Sequence, residues 1–141
     1  MNKENRKLLN HLHIEFINKK YPSVPLENIP FYNVNDKKAN CLTNCIIDFL
    51  SWNKHHAERI NNISRMINGK FVKSSMQKGT ADISATIGGR SVKIEIKIGA
   101  DRQSEYQKKY QQQITDAGGI YFVASSFDDF IAWYNNKFKA A

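Results

Sequence analysis

The sequence predicts an α/β fold in which a mixed sheet is flanked by helices and preceded by an extra N-terminal helix. Three observations support this prediction. Helical and strand patterns follow one another along the 141 residues in the order α, α, β, β, β, α, β, α. The pair Gly88-Gly89 is a hairpin signal, because a two-residue primed turn needs positive φ. A helix then joins two apolar strands, which predicts a right-handed crossover between parallel neighbours.

A chain of 16.2 kDa is long enough for one sizeable core and too short for two. We therefore expect a single domain over 1–141, with an N-terminal helix and Pro-containing connector at 1–38. The central unit spans 39–126, and a C-terminal helix and tail occupy 127–141.

The net charge of +8 and the pI near 9.5 favour a polyanionic partner, since clustered cations gain free energy from counterion release at phosphates. The alternative is a basic protein without such a partner. No stretch is apolar and long enough to span a membrane, and the first residues lack the hydrophobic segment of a secretory signal. We therefore expect no membrane partner and an intracellular location.

The first helix should run from Lys3 to Lys20, because Leu8, Leu12 and Phe16 recur at helical spacing. Tyr21 to Asn40 contains all three prolines, which predicts an extended connector.

A second helix is expected from about Ala39 to Lys54. It places Cys41 and Cys45 on one face, which is typical of buried free thiols. A zinc site would need His55 and His56 as well, and adjacent residues at a helix end converge poorly on one metal.

Beyond this helix the sequence predicts a strand over Ala57 to Met66, although its periodicity also fits a continued helix. Asn68-Gly69 marks a turn, and Lys70 to Gly79 is basic and partly irregular.

The hairpin predicted from Thr80 to Ile87 and from Ser91 to Ile98 places Asp82 directly opposite Glu95. Alternation assigns the apolar residues to the core face. The other face carries Asp82, Ser84, Thr86, Ser91, Lys93, Glu95 and Lys97. Opposed carboxylates repel, so this pair needs a cation between them. Lys97 supplies part of that charge, and oxygen ligands suit Mg²⁺ or Mn²⁺ better than zinc.

After the hairpin, Asp101 is predicted to cap a helix from Arg102 to Asp116. Gly118-Gly119 should end this helix, and Ile120 to Ala124 reads as a short buried strand. A last amphipathic helix is expected from Phe127 to Phe138.

Three segments resemble the PD-(D/E)XK nuclease superfamily, and within it the VRR-NUC group, which is related to Holliday junction resolvases and often occurs in phages. They are Lys78-Gly79-Thr80-Ala81-Asp82-Ile83, Glu95-Ile96-Lys97, and Gln103-Ser104 with Gln107-Lys108-Lys109-Tyr110. The resemblance implies a restriction-endonuclease-like αβββαβ core within 39–126, which would then be the catalytic core.

It also implies a metal-dependent endonuclease that hydrolyses DNA phosphodiester bonds in branched or structured DNA. Asp82, Glu95 and the carbonyl of Ile96 would bind Mg²⁺ or Mn²⁺, Lys97 would position the attacking water, and Gln107 would orient that water or contact phosphate. The family implies a homodimer and a phage or prophage origin. The residues expected to bind nucleic acid are Lys78, Thr80, Arg90, Lys93, Arg102, Lys108 and Tyr110, with Arg59, Arg65, Lys70, Lys73 and Lys109 as further basic candidates.

The sequence departs from the family at one point, since relatives commonly add an acidic residue on the helix before the first core strand. Here Asn40, Thr43 or Asn44 would complete the metal shell, or a water would.

Two alternatives remain open. The acids and lysines could form an ordinary solvated sheet face, with Lys97 paired to Glu95, in a catalytically inactive DNA-binding module that keeps the fold. An HNH-type nuclease using Asn53, His55 and His56 would instead require a ββα-metal hairpin at a segment that reads as a helix end.

Overall fold

The structure, a computed structural model, describes residues 1–60, 65–73 and 76–139. The helices are α1 (Lys3–Lys20), α2 (Ala39–Trp52), α3 (Glu105–Asp116) and α4 (Phe127–Tyr134), with a 3₁₀ turn at Leu26–Asn28 and a π-helical turn at Asn135–Lys139. The strands are β1 (His56–Arg59), β2 (Arg65–Ile67), β3 (Lys70–Val72), β4 (Ile83–Ile87), β5 (Arg90–Ile96) and β6 (Ile120–Ala124).

The main sheet is mixed, as the sequence predicts. Its strand order is β1-β4-β5-β6, with antiparallel pairing of β1 to β4 and of β4 to β5 and parallel pairing of β5 to β6. The parallel pair confirms the expected connection through α3.

The predicted hairpin is present, with Gly88 and Gly89 at its tip at φ angles of 55° and 79°. Its register pairs Ser84 with Lys93, which is the expected one. The strands are shorter than predicted, because Asp82 lies just before β4 and uses its side chain to accept the N–H of Ile96.

The core lies between one face of this sheet and the helices α1, α2 and α4. Ile83 and Ile94 point into it from the sheet and are fully buried. Phe49 of α2 meets Phe127 and Phe130 of α4, with ring centroids 5.8 Å apart in both pairs. Burying each such side chain stabilises the fold by roughly 1.5–3 kcal/mol. The opposite face of the sheet remains for polar groups and for α3.

The prediction of one strand over 57–66 was wrong. β1 ends at Arg59, residues 61–64 lie outside the described residues, and Arg65 begins a second sheet in which β2 pairs with β3. The turn at Asn68-Gly69 is confirmed, with φ angles of 51° and 75°. The strand β3 lies where an irregular segment was expected. Three-residue strands with every side chain exposed lack the alternation of burial that would have revealed them.

Asp101 does not cap α3. Ser104 does, since its side chain accepts the N–H of Gln107, and the helix begins three residues later than expected. The other helices differ only at their ends: α1 has the predicted bounds, α2 stops at Trp52, and α4 stops at Tyr134 before the π-helical turn.

The cysteines match their prediction in part. Both are free thiols, and Cys45 is buried, whereas Cys41 is half-buried. Among the described residues, no helix combines the length and apolar character that crossing a bilayer requires.

Candidate active site

Two carboxylates meet near the carboxyl end of β5. Glu95 is only 2 % exposed although it lies on the polar face of the sheet. Asp82 is half-buried, and its Oδ2 accepts the N–H of Ile96 at 2.8 Å. The hairpin therefore brings together the residues that the sequence pattern paired.

The two oxygens of Glu95 have different surroundings. Oε1 accepts a hydrogen bond from Nε2 of Gln107 at 2.6 Å and lies 3.2 Å from Nζ of Lys97. Oε2 is buried and has no hydrogen-bond partner within the part of the chain that the structure describes. A buried acceptor without a partner costs about 1–3 kcal/mol, and more when it is charged. The carboxylate thus has one free coordinating oxygen.

The pKa of Glu95 shows that ionising its carboxyl is unfavourable in this environment. Burial, followed by the negative charge of Asp82, raises the pKa of Glu95 to about 7 from an ordinary 4.5. Lys97 opposes this shift through its contact and charge, and Asp101 adds to it weakly. At neutral pH this carboxyl is therefore close to half protonated unless a cation joins it.

These groups fit a hard divalent cation. Mg²⁺ and Mn²⁺ prefer oxygen donors, and the donors here are the unpartnered Oε2 of Glu95, the carboxylate of Asp82 and the carbonyl of Ile96. Among the described residues, no cluster of three His, Cys, Asp or Glu side chains could hold a metal. Waters or substrate oxygens would therefore complete the coordination, as is usual for Mg²⁺.

The first turn of α3 fixes the orientation of Gln107. Its Oε1 accepts the N–H of Ser104 at 2.9 Å, while the hydroxyl of Ser104 accepts the N–H of Gln107 at 3.3 Å. This capping box occupies the amide oxygen. The amide nitrogen therefore points at Glu95.

Gly79 holds the loop before β4 against the same helix. Its φ is +80°, and a Cβ built on it would lie 2.4 Å from the carbonyl carbon of Tyr106. Only glycine allows so close an approach of two backbones. The Lys78-Gly79-Thr80 segment and Gln107 are thus parts of one packed unit.

Lys97 lies between two carboxylates and lines a small cavity. Its side chain is 13 % exposed and is held between Oε1 of Glu95 at 3.2 Å and Oδ2 of Asp101 at 3.6 Å. It lines a cavity of about 290 Å³ that also includes Arg102, Gln103 and Ser125. This ion pair with Lys97 is the role that the sequence reading of Asp101 missed.

Four residues expected to contact nucleic acid lie on α3 or in the segments that precede β4 and α3. Nζ of Lys78 lies 5.2 Å from the ring centroid of Tyr106, and Thr80 is half-buried. Arg102 lines the cavity with Lys97, and Lys108 is exposed on α3, where it contacts Glu105. Of these four, Arg102 is the one that lines the same cavity as Lys97.

Three others have different surroundings. Arg90 starts β5 at the hairpin tip, roughly 17 Å along the strand from Glu95 at ~3.3 Å per residue. Lys93 is half-buried, and its Nζ donates to Ser84 at 2.6 Å. Tyr110 is 8 % exposed and packs against Tyr121 with ring centroids 6.3 Å apart. The site therefore brings together only part of the expected set.

The residues considered for an additional metal ligand have other partners. Oδ1 of Asn40 and Oδ1 of Asn44 accept from the guanidinium of Arg59 at 3.0 and 3.3 Å. The hydroxyl of Thr43 donates to the carbonyl of Ala39. A water thus remains the candidate to complete the metal shell.

The histidine alternatives also have structural partners. Nε2 of His55 lies 2.8 Å from the hydroxyl of Tyr134, and His56 begins β1 with an exposed side chain. Asn53 donates to the carbonyl of Phe49 at the end of α2. A helix end followed by a sheet strand occupies the position where an HNH site needs its hairpin.

Sequence reasoning missed Tyr121, whose hydroxyl lies close enough to Glu95 and Asp82 to interact electrostatically with both. Its hydroxyl is buried and lies next to the side chain of Gln103. Burial and the charge of Glu95 raise its pKa, so the phenol stays protonated and can donate. The signal was the crossover itself, since parallel pairing puts Tyr121 beside Lys93, two residues before Glu95.

Comparison with known proteins adds no identification, because no family model and no curated protein matches the chain.

Proposed function

We propose that this protein is a Mg²⁺- or Mn²⁺-dependent endonuclease that hydrolyses DNA phosphodiester bonds, with a restriction-endonuclease-like core of the PD-(D/E)XK superfamily and of its VRR-NUC group. One observation carries the proposal: Glu95 is buried with an unpartnered oxygen, close to a second carboxylate, and contacts both Lys97 and Gln107. A purely structural acid has no need of this arrangement.

Each residue has a distinct task in this proposal. Asp82, Glu95 and the carbonyl of Ile96 hold the dication, which when bound polarises the phosphoryl oxygen and acidifies a water. Lys97 projects into the adjacent cavity, where its ammonium binds the attacking water or the charge that develops on the phosphate. Gln107 keeps Oε1 of Glu95 occupied and thereby leaves Oε2 for the metal.

Substrate preference and assembly are further parts of the proposal. The family resemblance suggests branched or structured DNA and a homodimer, in which two sites would cut two strands, and isologous pairs are the commonest oligomers. Light scattering of the purified protein measures the mass of the assembly directly. The intracellular location and the phage origin remain predictions from the sequence.

The test is cleavage of labelled single-stranded, duplex, flap and four-way junction DNA with Mg²⁺, Mn²⁺ or EDTA. We expect metal-dependent cleavage, and Lys97→Ala should lower the rate by roughly 10²–10³-fold, the usual effect of removing one group that stabilises transition-state charge. Asp82→Asn should do the same.

Glu58→Gln is the matched control, because Glu58 is an exposed carboxylate on β1. Equal rates for the wild type and Lys97→Ala would refute the mechanism. Metal-independent binding without cleavage of any substrate would identify the alternative, an inactive DNA-binding module.

A further inference from the structure

The two-stranded ribbon β2–β3 is the most unusual surface of the protein. All six residues of its strands are exposed. Met66 and Phe71 pair across the ribbon on one face and are 66 % and 69 % exposed. Apolar side chains of this size, clustered and exposed, are typical of a surface that binds a partner.

The charge of the ribbon indicates what that partner is. No acidic residue occurs between Glu58 and Asp82, whereas this stretch contains five basic residues: Arg59, Arg65, Lys70, Lys73 and Lys78. In the register of the ribbon, Arg65 and Lys70 lie on the face opposite to Met66 and Phe71. A second copy of the same ribbon would bring like charges together, which disfavours self-association. A polyanion complements the surface.

The base of the ribbon lies at the candidate active site. The chain leaves the main sheet at Ile60, whose N–H donates to the carbonyl of Asp82 at 2.8 Å. It returns at Gln77, whose side chain contacts Gln113 of α3, and at Gly79, which packs on the first turn of that helix. Both connections between the ribbon and the rest of the chain therefore start close to the candidate site.

We propose that the ribbon enters a groove of duplex DNA beside the cleavage site. A two-stranded β-ribbon fits the major groove, which is about 12 Å wide. The Met66–Phe71 face lies against the base edges, where apolar side chains contact thymine methyl groups. The long side chains of Arg65 and Lys70, on the other face, reach the phosphates that rim the groove. This inference rests on the proposed function for its choice of DNA as the substrate.

The experiment measures binding of a fluorescent DNA duplex and of a four-way junction by anisotropy in EDTA, so that cleavage plays no part. Arg65→Gln with Lys70→Gln should weaken binding about tenfold and lower the slope of log affinity against log salt by about 2, as expected for two lost phosphate contacts.

A second variant, Met66→Ser with Phe71→Ser, should weaken binding about tenfold and leave the salt slope unchanged, since apolar contacts with base edges release no counterions. The control is Lys7→Gln with Lys19→Gln, which removes the same charge from exposed positions on α1. We expect it to bind like the wild type.

Wild-type affinity in both ribbon variants would overturn the inference. The inference would also be overturned if Met66→Ser with Phe71→Ser kept its DNA affinity and changed from dimer to monomer, because the ribbon would then contact a second copy. Circular dichroism verifies that the variants fold. If the wild type binds DNA through the ribbon but cleaves no substrate, the proposed nuclease activity is refuted and this inference stands. If the protein cleaves DNA and both ribbon variants bind it like the wild type, the nuclease stands and this inference is refuted.

Discussion

Replacing Glu95 by glutamine should stabilise the metal-free protein above neutral pH. The ordinary pKa of 4.5 is raised to about 7 in the folded protein. Because each tenfold change in an equilibrium corresponds to about 1.4 kcal/mol, the ionised carboxylate costs the native state up to about 3 kcal/mol. Glutamine keeps the size of the side chain and removes this charge.

The direction of this change in stability with pH follows from how tightly the native and unfolded states bind the Glu95 proton. Between pH 4.5 and about 7 the native state holds the Glu95 proton more tightly than the unfolded state does. The contribution of this group to stability is therefore intact below pH 4.5, falls as pH rises through this window, and is fully lost above pH 7. The difference in unfolding free energy between Glu95→Gln and the wild type should grow over the same window and then level off.

Urea unfolding in EDTA, followed by circular dichroism from pH 4 to 8.5, measures this difference. Glu58→Gln serves as the control, since the side chain of Glu58 is 66 % exposed and its removal should leave the pH profile unchanged. A constant difference between Glu95→Gln and the wild type across this range would refute the reasoning, because it would mean that Glu95 titrates normally in the folded protein.

Three further predictions concern the same centre. At pH 8, Mg²⁺ at about a hundred times its dissociation constant should stabilise the wild type by about 2.7 kcal/mol and leave Glu95→Gln unchanged, as measured by the shift of the thermal midpoint. Gly79→Ala should lower the free energy of unfolding by about 3 kcal/mol or more and abolish cleavage, because its Cβ would overlap the backbone of α3. Gly89 has nearly the same φ and open space around it, so Gly89→Ala should lower that free energy by only about 1–2 kcal/mol, as measured by urea unfolding. Ser104→Ala should lower the free energy of unfolding by about 1 kcal/mol and slow cleavage, because Gln107 loses its cap contact. Aspartate also caps helices, so Ser104→Asp should restore both the stability and the cleavage rate. Cleavage by Ser104→Ala at the wild-type rate would contradict the positioning role.

The hairpin that carries the site was predictable because its signals are local. Glycines at the turn set the register, and strict alternation separated the apolar from the polar face, so the proximity of Asp82 and Glu95 followed from counting residues. The parallel strand and its helix followed from the length and composition of the connection.

Other features depend on contacts that a sequence does not display. Glu95 is buried beneath α3, whose Gln107 contacts it, and beside β6 in the sheet, whereas alternation alone described this face as open to solvent. Serine and aspartate both cap helices well, so the sequence alone does not indicate whether Ser104 or Asp101 is the N-cap of α3. Packing of the folded chain decides between them. The ribbon β2–β3 escaped prediction because its strands have no buried face.

The tight turn between β4 and β5 has a consequence for the order of folding. Two residues separate β4, which follows Asp82, from β5, which carries Glu95, so closing the hairpin costs little chain entropy. Pairing β5 with β6 must close a much longer loop. We expect the repelling pair to meet early and the docking of α3 to follow. Substitutions at the turn should then slow refolding, whereas those in β6 should mainly accelerate unfolding.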